Sequence, residues 1–239
     1  MRFVAAKSEE QQSAGLVFRT RDLVVRQRTQ LINAIRGHLA EYGWVAPRGT
    51  AHMAILADLL EDEEMTSTLT EAARPMFKLM VDLLAELDKR VSMLDRKIAR
   101  RAKEDEAARR LITIPGIGPI AATAIIALAP PAETFRNARD FAAWLDLAPL
   151  QQSTGGKQRP GSISKMGERT IRRLLIIGGS SMVRQACRYG GPAGSWLERM
   201  LARRPRMLVS VALANKMARM VWALLTKQED YRAPAAVRA

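Results

Sequence analysis

The chain has 239 residues, enough for one large domain or two small ones, each with its own core. Hydrophobic residues make up 48% and charged residues 26% of the sequence, a composition that excludes an intrinsically disordered chain. The 38 Lys and Arg residues outnumber the 24 Asp and Glu residues, and the net charge of +14 favours a polyanionic partner, most commonly nucleic acid. The alternative is a solvated basic surface that binds no partner.

The cysteine content and the N-terminal sequence indicate the compartment. Cys187 is the single cysteine, which excludes an internal disulfide and is typical of a reducing environment. Because Cys187 lies in an apolar helical run, we predict that it is buried as a small hydrophobe. The start of the chain has no signal-peptide core, and the longest apolar run, residues 120–131, is too short to cross a bilayer. These features predict a soluble, cytoplasmic protein with no membrane association.

Two long amphipathic helices are predicted in the first 110 residues. Ser8 to Gln11 has the form of a capping box and opens the first helix, which ends near Gly43. The second helix carries apolar residues at steps of three and four. Its predicted buried stripe consists of Met76, Met80, Leu83, Leu87, Val91, Leu94 and Ile98. Residues 1–110 are therefore predicted to form an elongated helical hairpin with a coiled-coil-like arm, used in dimerisation or RNA contact.

The composition of the sequence changes beyond residues 106–110, where glycine and proline become frequent. We predict a second, compact helical domain over residues 111–239, so that the whole protein is all-α. Near its start, a Gly-x-Gly turn containing Gly116 and Gly118 leads directly into a helix of small residues. Such a turn exposes backbone N–H groups and is typical of a helix-hairpin-helix that binds DNA phosphates. A tight turn between packed helices explains the same pattern equally well.

Polar and basic residues dominate the stretch from Gln151 to Lys165. The segment before it, residues 135–145, is predicted to be a core scaffold capped by Asn137. Within the loop, Ser153 could attack a phosphodiester while cations stabilise charge on the phosphate oxygens. The candidate cations are Lys157, Arg159 and Lys165. By composition alone, a flexible basic loop that only touches phosphate is the better interpretation.

The helix predicted after this loop carries arginines at i, i+3 and i+4. Arg169, Arg172 and Arg173 are expected to share one face and to support phosphate binding. The sequence shows no spacing of Cys, His or acidic residues typical of a metal site, so no metal is predicted in this chain.

Five stretches in this order resemble the insertion-sequence-110 family of transposases, in the branch related to insertion sequence 1111. They are Pro115-Gly116-Ile117-Gly118, Phe141-Ala142-Ala143-Trp144-Leu145, Ser153-Thr154-Gly155-Gly156-Lys157, Ile163-Ser164-Lys165-Met166-Gly167 and Arg172-Arg173-Leu174-Leu175. The helical half, with Lys7-Ser8-Glu9-Glu10-Gln11 among its matching segments, is similar to the family too. The resemblance covers nearly the whole chain.

This resemblance implies a DNA recombinase of a transposable element that exchanges strands through a serine nucleophile, guided by a structured RNA from the element. The nucleophile lies twelve residues before the lysine of the Ser-Lys-x-Gly stretch, and counting back from Lys165 reaches Ser153. Counting forward from Leu147 instead allows Thr154, whose secondary alcohol is more crowded. The same resemblance implies DNA, the guide RNA and a second copy of the chain as partners.

The sequence departs from the family at its start. The family places an RNase-H-like domain there, with four acidic residues that hold a divalent metal, most simply Mg²⁺. No Asp-x-x-Asp pattern occurs near Met1. We therefore expect a truncated transposase that binds DNA but does not recombine it alone. A non-enzymatic DNA- or RNA-binding helical module is the alternative.

Overall fold

A computed structural model describes residues 8–45, 68–151, 156, 161–164, 166–191 and 194–232. The regular structure of this part of the chain is helical, which confirms the predicted all-α class. The α-helices are α1 (Glu9–Glu41), α2 (Ala73–Glu104), α3 (Glu106–Ile112), α4 (Pro119–Leu128), α5 (Ala138–Trp144), α6 (Arg169–Tyr189), α7 (Trp196–Leu201) and α8 (Arg206–Lys227). A single 3-10 turn, Ala132–Thr134, lies between α4 and α5.

The helices form two compact units. One unit runs from Leu16 to Lys97 and contains most of α1 and α2. The other contains the described residues up to Gly15 together with those from Ile98 onwards. The predicted domain boundary near residue 110 stays a prediction, because a division by compactness does not measure which segment folds independently.

Within the first unit, α1 and α2 pack through apolar side chains. Ile35 and Leu39 of α1 share a cluster with Phe77 and Leu84 of α2, and Val24 packs with Val91 in a second cluster. Residues near the end of α1 contact residues near the start of α2, and earlier residues of α1 contact later residues of α2. The two helices therefore run antiparallel. The predicted coiled-coil character of this pair, and its use in dimerisation or RNA contact, stay predictions.

The buried face of α2 differs from the predicted stripe at its N-terminal end. Met76 and Leu83 are exposed, with 55% and 51% of their surface accessible, whereas Phe77 and Leu84 are buried. The buried positions Phe77, Leu84, Val91 and Ile98 follow one another at seven-residue steps. Periodicity detected the stripe but misplaced its first turns by one residue, because apolar residues occupy both adjacent positions.

Two ion pairs cross this helix pair. Arg21 Nε lies 2.5 Å from Asp95 Oδ1, and Arg28 Nη1 lies 2.7 Å from Asp88 Oδ1. Both arginine side chains are about four-fifths buried, and Arg28 Nε has no hydrogen-bond partner among the described residues. The two pairs are separated by seven residues on each helix, so together they select one register of the pair.

The Arg28–Asp88 pair gives a testable expectation about stability. Asp88→Asn should lower the free energy of unfolding by about 0.5–1 kcal/mol, because the pair is only partly shielded from water. Replacing both residues by Met should be roughly neutral, since apolar groups of similar size fit a helix interface. Urea titration followed by the fluorescence of Trp44, which belongs to this unit, measures both. A double variant less stable than Asp88→Asn would contradict the expectation.

The second unit is built around α4 and α8. Nearly all of α4 is buried, including Ala122, Ala124 and Ile125. By length and composition alone α8 could cross a membrane, with a mean hydropathy of 1.4. In the structure it packs against α5 and α6, with Met217 and Val221 fully buried. One face of α8, which includes these two residues, therefore lies in the core of this unit.

A glycine pair brings α6 close to its neighbours. A Cβ at Gly178 would lie 2.1 Å from the carbonyl oxygen of Gly116, and one at Gly179 would lie 2.7 Å from that of Ser210. The outer face of the same helix carries Cys187, which is exposed. The prediction that Cys187 is buried was therefore wrong, since the apolar run around it is amphipathic and Cys187 falls on the solvent side.

Candidate functional site

The predicted nucleophile and its loop lie mostly outside the described residues. This applies to Ser153, Thr154, Lys157, Arg159 and Lys165, so their predicted roles are untested by the structure. The structure does describe the segments on either side of this loop, which we call the neck: residues 145–151 on one side and residues 161–164 and 166–172 on the other.

Backbone hydrogen bonds join the two segments of the neck. The Leu150 N–H donates to the Ser162 carbonyl at 3.1 Å, and the Gly161 N–H donates to the Leu150 carbonyl at 2.7 Å. These two hydrogen bonds hold Leu150 against residues 161–162, on either side of the segment that contains Ser153. A short closed loop samples fewer conformations than an open one of the same length.

Asp146 and Arg172 hold the neck from the side of the helices. Asp146 follows α5 with a φ of 52°, in the left-handed region that Asp tolerates better than most residues. Its carboxylate accepts a hydrogen bond from the Gly167 N–H. Arg172 Nη1 lies 3.6 Å from Asp146 Oδ2 and donates to the carbonyls of Leu145 at 3.4 Å and Gly167 at 3.3 Å. One guanidinium thus joins the chain entering the loop to the chain leaving it.

Gly167 is the closest point of approach in the neck. A Cβ at this position would lie 2.2 Å from the Trp144 carbonyl oxygen and 2.9 Å from the Leu145 carbonyl carbon. Both are backbone atoms, which cannot turn aside as a side chain can. The glycine of the Ser-Lys-x-Gly stretch is therefore required by packing against the end of α5.

The three arginines at the start of α6 have different surroundings. Arg169 and Arg173 are exposed, whereas Arg172 is 7% exposed and bound within the neck. Glu168 caps this helix, its carboxylate accepting from the Ile171 N–H at 2.8 Å. A phosphate contact by Arg172 stays a prediction, but the described contacts already give its guanidinium a structural role. Arg169 and Arg173 remain the exposed cations nearest the neck in sequence.

The Gly-x-Gly turn joins α3 to α4, as predicted, but its two glycines differ. Gly116 has a φ of 89°, and a Cβ there would meet Met182, Met217 and the Gly178 carbonyl at 3.0–3.2 Å. Gly118 is exposed, and a Cβ there would meet nothing within 4 Å. Packing between helices therefore explains Gly116 without DNA. Phosphate binding by either glycine stays a prediction.

The segment before the neck has the predicted scaffold character. The Asn137 side chain caps α5, accepting from the N–H groups of Arg139 and Asp140 at 2.9 and 3.1 Å. Phe141 is buried and contacts Phe135 and Trp144 through its ring. This aromatic cluster fixes α5, and through it the start of the neck.

Within the part of the chain that the structure describes, no group of three or more His, Cys, Asp or Glu side chains could hold a metal ion. The divalent metal implied by the family resemblance therefore does not fit the described residues.

Sequence reasoning missed two features of this site. Asp146 was part of an unremarked Leu-Asp-Leu stretch, although an Asp directly after a short helix is a candidate for a left-handed residue. Gly178 and Gly179 interrupt an amphipathic helix, and such a pair signals close approach by another backbone.

Comparison with known proteins places the neck inside a family match. The model of a family described as "Transposase IS116/IS110/IS902 family" matches residues 108–189. The chain is 42% identical over 234 residues to a "Probable family 20 transposase" of Pseudomonas aeruginosa, covering 97% of this chain and 69% of that protein. It is 41% identical to "Putative transposase y4pF/y4sB" of Sinorhizobium fredii, covering 97% and 59%. It is 35% identical to "Transposase for insertion sequence element IS1111A" of Coxiella burnetii, covering 98% and 64%. The chain thus spans about three-fifths to seven-tenths of the length of these relatives.

Proposed function

Because the chain belongs to the IS116/IS110/IS902 family of transposases, we propose that it binds the DNA of an insertion sequence and supplies the serine nucleophile for strand exchange. Ser153 is the proposed nucleophile. Lys157, Arg159 and Lys165 are the proposed phosphate-binding cations of its loop, and Arg169 and Arg173 extend that positive surface along α6.

The observation that carries this proposal is the closed neck. A serine in an unanchored loop would have to be ordered anew for each reaction, at a cost in conformational entropy. Here Asp146, Gly167 and Arg172 tie both ends of the loop to the end of α5 and the start of α6. The proposed nucleophile is therefore attached to a fixed base of packed helices.

The proposed chemistry is a transesterification. The Ser153 hydroxyl oxygen forms a bond to phosphorus, and the bond from that phosphorus to one deoxyribose oxygen breaks. The serine hydroxyl gives up its proton. The leaving sugar oxygen gains a proton and becomes a hydroxyl group. Cations around the phosphate stabilise the charge that builds on its non-bridging oxygens. The energy of the DNA linkage is kept in the serine–phosphate ester, which a second strand can attack.

The proposal includes partners and a setting. A guide RNA from the element and a second copy of the chain are expected to join the DNA complex, and the cytoplasm is the expected compartment.

The decisive experiment is a search for a covalent protein–DNA adduct. The chain, mixed with labelled DNA of the insertion sequence and with the guide RNA, should give a labelled adduct that survives denaturing electrophoresis. Ser153→Ala should remove the adduct completely while leaving DNA affinity within about twofold, because one hydroxyl is lost and no charge changes. Thr154→Ala, the matched control, should keep the adduct.

Two results would change the assignment. Loss of the adduct in Thr154→Ala, with Ser153→Ala unaffected, would transfer the nucleophile to Thr154. Absence of any adduct, with salt-dependent DNA binding intact, would favour the non-enzymatic binding module instead.

A further inference from the structure

A groove lies between the start of α5 and one face of α8, separate from the neck. Its volume is about 700 Å³. It is lined by Asn137, Ala138, Arg139, Lys216, Arg219, Met220, Trp222 and Ala223. Lys216, Arg219 and Ala223 follow the i, i+3, i+7 spacing of one helical face, so the cations of α8 point into the same space as Arg139.

Several positively charged side chains lie in or next to the groove. Arg139, Arg219 and the neighbouring Arg199 are exposed, Lys216 is half-buried, and none of the four makes an ion pair within the described part of the chain. Burial, together with repulsion by Arg219 and Arg199, lowers the pKa of Lys216. Cations held this close repel one another in the free protein, and a bound anion would relieve that repulsion.

The nearest carboxylates of the adjoining elements are engaged in local structure. Asp140 accepts from Asn137 Nδ2 at 3.3 Å at the start of α5. Glu198 accepts from the Gly194 N–H at 2.6 Å at the start of α7. Both carboxylates keep their negative charge, but neither makes an ion pair with a cation of the groove among the described residues.

Two tryptophan rings, those of Trp222 and Trp196, restrict side-chain motion at the groove. Trp222 lines it and donates its Nε1 hydrogen to the Ala132 carbonyl at 3.0 Å, which fixes the plane of the indole. Lys216 Nζ lies 4.9 Å from the centre of the Trp196 ring, a cation–π contact that holds the ammonium group at the edge. The Lys216 ammonium group is therefore restrained before binding, which lowers the entropic cost of binding.

The same helix links the groove to the neck. Asn215, next to Lys216, donates from Nδ2 to the Leu147 carbonyl at 3.0 Å. Leu147 directly follows Asp146 of the neck. The groove and the neck are therefore connected through α8 within one compact unit.

We propose that this groove binds phosphodiester groups of a nucleic-acid strand, as a contact surface additional to the serine loop. The inference rests on the proposed function only in requiring that the chain binds nucleic acid; it does not depend on Ser153. The backbone of DNA and that of RNA offer the same phosphate chemistry, so the experiment distinguishes these two sources.

The test compares two double variants of equal charge change. Lys216→Gln with Arg219→Gln removes two groove cations. Lys227→Gln with Arg232→Gln removes two exposed cations beyond the groove, Lys227 lying about 16 Å further along α8. Fluorescence anisotropy gives the affinity for a DNA duplex, single-stranded DNA and an RNA hairpin at several salt concentrations. Circular dichroism checks that each variant is folded.

The groove variant should bind at least one probe on the order of tenfold more weakly at 0.1 M salt, with a slope of log affinity against log salt smaller by about two. The control variant should lose far less. Equal behaviour of the two variants with every probe would overturn the inference while leaving the proposed function in place. Failure of the unmodified chain to bind any probe would overturn both. If the double variant does not fold, Arg219→Gln alone, at an exposed position, provides the comparison.

Acetylation of lysines gives an independent readout. A lowered pKa leaves more of the Lys216 amine neutral near pH 8, so Lys216 should react faster than Lys227 in the free chain. Bound phosphate raises the pKa of Lys216 and covers it, so its modification should fall several-fold in the complex, as measured by mass spectrometry. Unchanged modification of Lys216 in a saturated complex would contradict the proposal.

Discussion

Gly178→Ala is expected to destabilise the unit that contains α6 by about 3 kcal/mol or more. At an open helical position the same change stabilises a helix by up to about 1 kcal/mol, because alanine has the higher helix propensity. At Gly178 the new Cβ would lie 2.1 Å from the Gly116 carbonyl oxygen and 3.2 Å from Met217 Cε. The turn before α4 would have to move away from α6, which opens the core around Met217.

Urea denaturation followed by circular dichroism, which reports on the helices of both units, measures this change. Gly37→Ala is the matched control, since Gly37 is exposed within α1 and a Cβ there would meet nothing within 4 Å. It should leave stability unchanged or raise it slightly. A Gly178→Ala protein as stable as Gly37→Ala would show that the close contact between α6 and the turn is not present in solution.

Arg172→Met is expected to open the neck and to reduce adduct formation by Ser153 about 100-fold. The guanidinium is 7% exposed and donates to the carbonyls of Leu145 and Gly167, so its removal takes this donor from two carbonyls and leaves the Asp146 carboxylate without its ion-pair partner. Such a loss costs about 3 kcal/mol in the folded state. A shift of the loop by about 1 Å is enough to account for the expected loss of rate.

Arg173→Met is the control, because Arg173 is the adjacent arginine and its side chain is exposed. The free energy of unfolding of the Arg173→Met protein should differ from that of the unmodified chain by less than about 0.5 kcal/mol. The salt dependence of DNA binding separates two roles for Arg172. If Arg172 acts only within the neck, the slope for Arg172→Met equals that of the unmodified chain. A slope smaller by about one would mean instead that Arg172 contacts a phosphate directly.

Several features of this protein could be predicted from local patterns. Helical periodicity and the capping sequences at Ser8 and Asn137 are properties of short segments, and the structure has helices starting at both places. The order of the motifs from Gly116 to Arg173 indicated the transposase family, which comparison with known proteins confirms. Net charge, a sum over the chain, favoured a polyanionic partner without locating it.

Other features depend on which segments meet. Periodicity could not choose between Met76 and Phe77 for the buried face of α2, because both are apolar; the packing against α1 and the pairing of Arg28 with Asp88 fix that rotation. Likewise, Cys187 belongs to an apolar run, but only the orientation of α6 places it in solvent.

The candidate site shows most clearly which features follow from the local sequence and which follow from tertiary contacts. The sequence by itself predicted a polar loop with Ser153 between two helices, with glycines and arginines around it. Only the tertiary structure decided that Gly116 is packed against α6, that Arg172 is bound inside the neck, and that Lys216 shares a groove with Arg139. The physical reason is that a residue's type sets what it can bind, whereas burial and partners arise from contacts between residues far apart in the chain.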